Sequence, residues 1–141
     1  MTSECYCALL RQAARLSTER YDAALAPSGV SVAQYSMLRK IEAAGPISLT
    51  RLGDETRLER STVGRNAKVL HRMGLIDVAA SEDDARETAV ALSPVGARTL
   101  AKAKPLWLKA QKALEGELGS AVAHQLRAIL QAVQAAQGER T

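Results

Sequence analysis

Residues 48–92 read SLTRLGDETRLERSTVGRNAKVLHRMGLIDVAASEDDARETAVAL. This stretch predicts two short helices joined by a tight turn and followed by a hairpin. Ser48 is a typical helix cap, and the second helix is expected to run from about residue 60 to residue 73. Gly74 can then adopt the left-handed conformation that ends a helix.

The second of these helices has an apolar side and a polar side. Val63, Ala67 and Leu70 are spaced i, i+4, i+7, so they share one face that is expected to be buried. Hydroxyl, amide and basic side chains gather away from that face: Ser61, Thr62, Arg65, Asn66, Lys68 and Arg72. A helix with this division is typical of a recognition helix that enters the major groove of DNA.

The hairpin that follows is predicted to be a wing. Thr88, Val90 and Leu92 alternate as in a strand, and residues 82–86 form a polar connection with one basic residue, Arg86. An arginine at this place is expected to reach a phosphate or the adjacent minor groove, where the potential of DNA is most negative.

The basic residues are concentrated on the same part of the chain. Between Arg39 and Arg72 there are eight basic and four acidic residues, an excess of four that equals the formal net charge of +4 of the whole chain. Charge concentrated on one segment suits a polyanionic partner such as double-stranded DNA. The alternative is a solvated surface with a random bias.

Helices are also predicted on both sides of this unit. The winged helix-turn-helix is expected at about 31–92, with dimerisation helices at about 4–25 and 94–136, giving a mainly α (α+β) fold in a single domain, 1–141. Apolar residues near the C-terminus form a seam for another helix: Val122, Leu126, Ile129 and Val133. A homodimer would present two recognition helices to half-sites one helical turn apart. The alternative is a monomer whose terminal helices cover only its own core.

The chain resembles the MarR family of bacterial transcriptional regulators over nearly its whole length. The resemblance is carried by Ser61–Asn66, Leu70, Gly74–Ile76, Asp83–Arg86 and Leu92–Gly96. It implies a dimeric winged helix-turn-helix protein that binds a palindromic operator. Such a protein usually represses, and a small molecule or oxidation usually relieves the repression.

The chemistry of the side chains then suggests individual roles. Residues in the first turns of the recognition helix are expected near base edges: Ser61, Thr62, Arg65 and Asn66. Four residues are expected to contact phosphates of the DNA: Ser48, Thr50, Lys68 and Arg72. Arg60 is also expected to bind DNA, and Arg86 is expected to make the contact of the wing. Asp84 is expected to orient Arg86 or the strand turn without touching DNA. A metal site at this acidic turn lacks further ligands.

Two cysteines near the N-terminus raise the question of redox sensing. In the organic-hydroperoxide-sensing branch of the family a reactive cysteine lies in the first helix, and Cys7 stands at that place, with Tyr21 matching one supporting tyrosine. The other supporting tyrosines are replaced by Arg11 and Val32. The alternative is that Cys5 and Cys7 pack at a dimer interface as small apolar residues.

Enzyme motifs are missing from the sequence. It has no nucleophile elbow, no glycine-rich phosphate loop and no metal-ligand spacing, so a non-enzyme without a cofactor is expected. No apolar run reaches the length of a membrane span and no signal peptide is visible, which predicts a cytoplasmic location. The expected function is a sequence-specific DNA-binding repressor released by a small-molecule effector or by cysteine oxidation. The alternative is a helical protein–protein interaction module that does not bind DNA.

Overall fold

A computed structural model describes residues 4–80 and 86–138, with side chains up to residue 136. Six helices and three strands follow one another along this part of the chain. Their order is α1 Tyr6–Leu25, α2 Val32–Ala44, β1 Ile47–Ser48, α3 Leu49–Thr56, α4 Arg60–Arg72, β2 Ile76–Ala80, β3 Thr88–Leu92, α5 Pro94–Leu118 and α6 Ser120–Gly138, with a single 3-10 turn at Ala26–Ser28. The mainly helical fold with a small sheet confirms the predicted class.

The start of α2 is fixed by two reciprocal hydrogen bonds. The Ser31 hydroxyl accepts from the Gln34 backbone N–H at 3.1 Å, and the Gln34 side-chain oxygen accepts from the Ser31 N–H at 2.9 Å. The two bonds form a capping box, whose sequence pattern is a serine or threonine followed three positions later by a glutamine or glutamate. The next N–H, that of Val32, donates to the Asp22 carboxylate at 2.7 Å and so joins α2 to α1.

The helix-turn-helix consists of α3 and α4. The Ser48 hydroxyl caps α3 by accepting from the Arg51 N–H at 3.1 Å. Arg57 closes this helix with a φ of 56°, the left-handed conformation that few residues other than glycine adopt. The predicted inner face of α4 is buried, with Val63, Ala67 and Leu70 all 4% exposed or less.

The sheet contains one strand more than the predicted hairpin. Its strand order is β1-β3-β2, with both pairs antiparallel. Val90 in the central strand pairs with Ile47 on one side and with Val78 on the other. Ile47 and Val90 are buried whereas Val78 is exposed, so the sheet rests on the core near β1 and extends into the wing along β2.

The junction between the wing and α5 is packed against the turn after α4. The Ser93 hydroxyl donates to the Gly74 carbonyl at 2.6 Å and accepts from the Gly96 N–H at 2.9 Å. A Cβ atom at Gly96 would clash with the Leu75 carbonyl oxygen and lie 3.0 Å from Leu92 Cδ1. Only glycine allows this close approach of backbone to backbone.

The chain packs as two compact units, residues 1–107 and 108–141, and α5 crosses the boundary. The core of the first unit is built around the largest fully buried side chains: Leu25, Tyr35, Leu38, Ile41, Leu52, Val63, Leu70, Ile76 and Val90. Among the helices described, none combines the length and the apolar character needed to cross a membrane.

Candidate nucleic-acid interface

The outer face of α4 is basic and accessible. Arg65, Lys68 and Arg72 are all exposed, on the side of the helix away from Val63 and Leu70. Within the described ranges these three side chains form no ion pair with a carboxylate. Their charge is therefore available to a polyanion that approaches this face.

The first turns of α4 carry the polar side chains that were expected to reach base edges. Ser61 is exposed and Thr62 is half-buried. The Arg65 guanidinium donates from Nη2 to the Thr62 hydroxyl at 3.3 Å, one turn back along the helix. This bond leaves most of the guanidinium donors free for another partner.

A cleft beside this face brings together several of the predicted residues. It is lined by the start of α3, the start of α4 and the base of the wing: Leu49, Thr50, Arg60, Ser61, Arg86, Glu87 and Thr88. Across the cleft, Arg60 Nη2 donates to the Thr50 hydroxyl at 3.3 Å. Two exposed arginines, Arg60 and Arg86, and three hydroxyl side chains thus border one concave surface next to the recognition helix.

Three predicted residues lie elsewhere. Asn66 is half-buried and lines a small cleft between α4 and α2, beside Gln34 and Met37, so it stands at the edge of the outer face of α4. Ser48 accepts the capping bond of α3 and lines a groove on the sheet. Asp84, expected to support the wing, lies outside the described residues.

The cysteines are accessible. Cys5 and Cys7 are both free thiols and both exposed. Tyr21 follows Cys7 by fourteen positions in the same helix, which corresponds to about 21 Å along the axis of α1. A Tyr21 side chain that supports Cys7 must therefore come from a second copy. Within residues 4–80 and 86–138, no three histidine, cysteine, aspartate or glutamate side chains lie close enough together to hold a metal ion.

A cluster of two aromatic rings and one arginine links α2 to α5, and the sequence did not predict it. The rings of Tyr35 and Trp107 stack with centroids 5.7 Å apart. The Arg39 guanidinium carbon lies 5.8 Å from the centroid of the first ring and 5.2 Å from that of the second. Burial raises the pKa of Tyr35, and the positive charge of Arg39 acts in the opposite direction.

The two threonine–arginine bonds are the functional detail that residue types alone did not predict. Thr62 and Arg65 stand at i and i+3, a spacing at which side chains on a helix meet, so a signal for this contact was present. Thr50 and Arg60 belong to different helices, and no local pattern indicates their contact.

Comparison with known proteins relates the chain to one family of regulators. A profile of the MarR family matches residues 28–87. The crystal structure of the Mycobacterium tuberculosis transcriptional regulator MosR in complex with DNA is 35% identical, with 94% of this chain and 98% of that chain covered and a TM-score of 0.81. A comparison of the sequence with curated proteins gives no match.

Two more distant structures share the fold. The transcriptional repressor CouR bound to a 23-mer DNA duplex is 24% identical, with 92% of each chain covered and a TM-score of 0.84. A cysteine-to-serine variant of Escherichia coli MarR with operator DNA is 20% identical, with 89% of this chain and 90% of that chain covered and a TM-score of 0.82. With MosR matched over nearly the full length of both chains, this protein belongs to the MarR family of transcriptional regulators.

Proposed function

We propose that this protein is a sequence-specific repressor in the cytoplasm that binds a palindromic operator in double-stranded DNA as a homodimer. The observation that carries the proposal is the exposed basic face of α4, on which Arg65, Lys68 and Arg72 have no carboxylate partner in the described part of the chain. The cleft with Arg60 and Arg86 continues this basic surface towards the wing. The regulator MosR, which is 35% identical, was crystallised with DNA.

Within this proposal the residues divide into two classes. Arg65 lies in the first turns of α4, where base edges come within reach, and an arginine that bonds two atoms of a guanine contributes about 1–3 kcal/mol of discrimination. Lys68 and Arg72 lie further along the helix, while Arg60 and Arg86 border the cleft. These four basic side chains contact phosphates, which fix the register of the protein without reading sequence.

The proposal of a homodimer is supported by large apolar side chains that a single copy of the chain leaves exposed to solvent. On α1 the exposed fraction is 80% for Tyr6 and 56% for Leu16, and on α6 it is 58% for Ile129. Terminal helices that expose large apolar residues are expected to cover them against another protein surface. A second copy of the chain is the partner that a palindromic operator requires.

The proposed dimer responds to a signal that releases DNA, either a small molecule or oxidation of a thiol. Oxidation is favoured by the exposure of Cys5 and Cys7, because a thiol must be accessible to react with a peroxide. A small-molecule effector remains the second candidate signal.

Selection of bound duplexes from a random pool tests the function directly. The native protein is expected to enrich a two-fold symmetric sequence and to lose affinity steeply as salt increases. Arg65→Ala should relax the preference at one position in each half-site, whereas Lys68→Ala should weaken all duplexes alike and reduce the salt slope by about one. A protein that enriches no sequence and shows no salt dependence would instead be a helical protein–protein interaction module.

A further inference from the structure

One hydrogen bond on the outer face of α4 joins a stiff side chain to a mobile one. The mobile partner is Arg65, which is exposed and has many rotamers, and its Nη2 donates to the hydroxyl of Thr62 at 3.3 Å. Thr62 is half-buried, and as a β-branched residue it has few χ1 rotamers in a helix. In a helix the hydroxyl is confined mainly to two positions, and from the one that it occupies here it can orient the guanidinium.

Nothing else in the described part of the chain competes for Arg65. The structure gives it no carboxylate partner and no hydrogen bond besides the one to Thr62. Ordering a long side chain on binding lowers the affinity by roughly two- to tenfold. A bond that already restricts the side chain in the free protein reduces this loss.

The bond also leaves the guanidinium able to read a base. A guanidinium has five N–H donors in a planar fork, and the Thr62 hydroxyl accepts only one of them. The remaining donors suffice for two parallel bonds to the O6 and N7 atoms of guanine, the commonest specific contact of arginine in the major groove.

We infer that Thr62 is a positioning residue that determines sequence specificity through Arg65, by holding the guanidinium in the orientation in which it reads a guanine. This inference rests on the proposed DNA-binding function. A direct contact of Thr62 with DNA is not part of it.

A second threonine–arginine bond provides a matched control. Thr50 accepts from Arg60 at 3.3 Å, but this pair spans α3 and α4 at the cleft beside the wing. An arginine in that cleft faces phosphates in the proposed complex. The loss of the Thr50 hydroxyl should therefore weaken all duplexes by a similar factor and leave discrimination between them unchanged.

The experiment measures discrimination, defined as the ratio of the dissociation constants of a mutated duplex and the duplex selected by the native protein. Single base-pair changes are placed at each position of one half-site, and Arg65→Ala identifies the position that Arg65 reads. At that position Thr62→Val should lower discrimination about three- to tenfold, while Thr62→Ser, which keeps the hydroxyl, should retain most of it. Thr50→Val should not lower it at any position.

A double variant separates positioning from direct contact. If Thr62 acts through Arg65, adding Thr62→Val to Arg65→Ala should cause no further loss of discrimination. A further loss in this background means that Thr62 reads DNA by itself, and it overturns the inference. Undiminished discrimination by Thr62→Val at the Arg65 position overturns it as well.

Two remaining outcomes are also decisive. If the native protein selects no duplex, the proposed function fails and the inference falls with it, which is seen before any variant is compared.

Threonine and valine have similar helix propensity, so Thr62→Val should keep the native melting temperature. If it does not, Thr62→Ala supplies a second variant without the hydroxyl, to which the same expected and contradicting results apply.

Discussion

The hydroxyl of Ser93 donates a 2.6 Å hydrogen bond to the carbonyl oxygen of Gly74, nineteen residues earlier in the chain. The same hydroxyl caps α5 by accepting from the Gly96 N–H at 2.9 Å. The turn that ends the recognition helix is thus joined to the first residues of α5. Ser93 is only 5% exposed and its bond to the Gly96 N–H is buried, so water is poorly placed to replace that bond.

Ser93→Ala should destabilise the protein by about 1–3 kcal/mol, because it removes both the hydrogen bond to the Gly74 carbonyl and the cap of α5. Urea unfolding followed by circular dichroism measures the change. Ser36→Ala is the matched control, since Ser36 is exposed within α2 and should change stability by no more than about 0.5 kcal/mol. Equal stability of the two variants would show that the Ser93 bonds contribute nothing net.

Gly96→Ala tests the close approach at the same junction. The added methyl group would clash with the Leu75 carbonyl oxygen, and a backbone atom cannot move aside as a side chain can. The expected loss of stability is about 1–3 kcal/mol. Gly116→Ala should have the opposite sign, a gain of about 0.5–1 kcal/mol, because its new Cβ meets no atom within 4 Å and alanine favours the helix. Thermal melts of both variants would contradict this account if their shifts had the same sign.

The sequence predicts elements whose information is local. The inner face of α4 follows from the spacing of Val63, Ala67 and Leu70, and the start of α2 follows from Ser31 and Gln34, three positions apart. In each case the physical cause lies within two turns of one helix, so pattern and structure agree.

Features that depend on distant partners were not predicted. The strand β1 has only two residues, too few for an alternating pattern, and it forms because Val90 offers a place beside Ile47. The bond from Ser93 to Gly74 and the position of Asn66 beside α2 likewise depend on how separate elements pack. For the candidate site, residue types predict that the outer face of α4 contacts DNA. The bond between Thr62 and Arg65 is local to one helix, whereas the bond between Thr50 and Arg60 depends on how α3 and α4 pack.

The C-terminal helix provides a test of the proposed dimer. Ile129 on α6 is 58% exposed, so a charge there should cost the isolated chain little. In an apolar seam between two copies, Ile129→Asp would bury an unpaired carboxylate and should shift the protein from dimer to monomer. Sedimentation equilibrium measures the mass. Gln131→Asp, on another side of the same helix, should remain dimeric, and a dimer formed equally well by both variants would exclude Ile129 from the interface.

The exposed thiols allow the redox signal to be tested separately from DNA binding. With the duplex selected by the native protein, an organic hydroperoxide should release the native protein and the Cys5→Ser variant, but not Cys7→Ser. Fluorescence anisotropy of the labelled duplex measures release, and a thiol reductant should restore binding if the product is a sulfenic acid or a disulfide. The same response in native protein and in Cys7→Ser would remove Cys7 as the sensor, and a native protein that does not respond would leave a small-molecule effector as the signal.

Tyr35 has a buried hydroxyl whose removal is expected to be harmless. The side chain is 1% exposed, and its oxygen makes no hydrogen bond of normal length among the described residues; the nearby Arg39 guanidinium is its polar neighbour and acts to lower the pKa of the phenol. Tyr35→Phe keeps the stacked ring and removes the unpaired group. The variant should therefore be as stable as the native protein at pH 7, or more stable by up to about 1 kcal/mol.

The pH dependence of the same variant follows from the raised pKa of Tyr35, which is caused mainly by burial. A group whose pKa is higher in the folded state holds its proton there after the unfolded chain has lost it, so the native protein loses stability as pH rises above the ordinary tyrosine value of about 10. Urea unfolding between about pH 9 and pH 11 should show a smaller loss for Tyr35→Phe than for the native protein. Parallel stability curves for native protein and Tyr35→Phe would mean that this phenol titrates alike in the folded and unfolded states, and that burial does not raise its pKa.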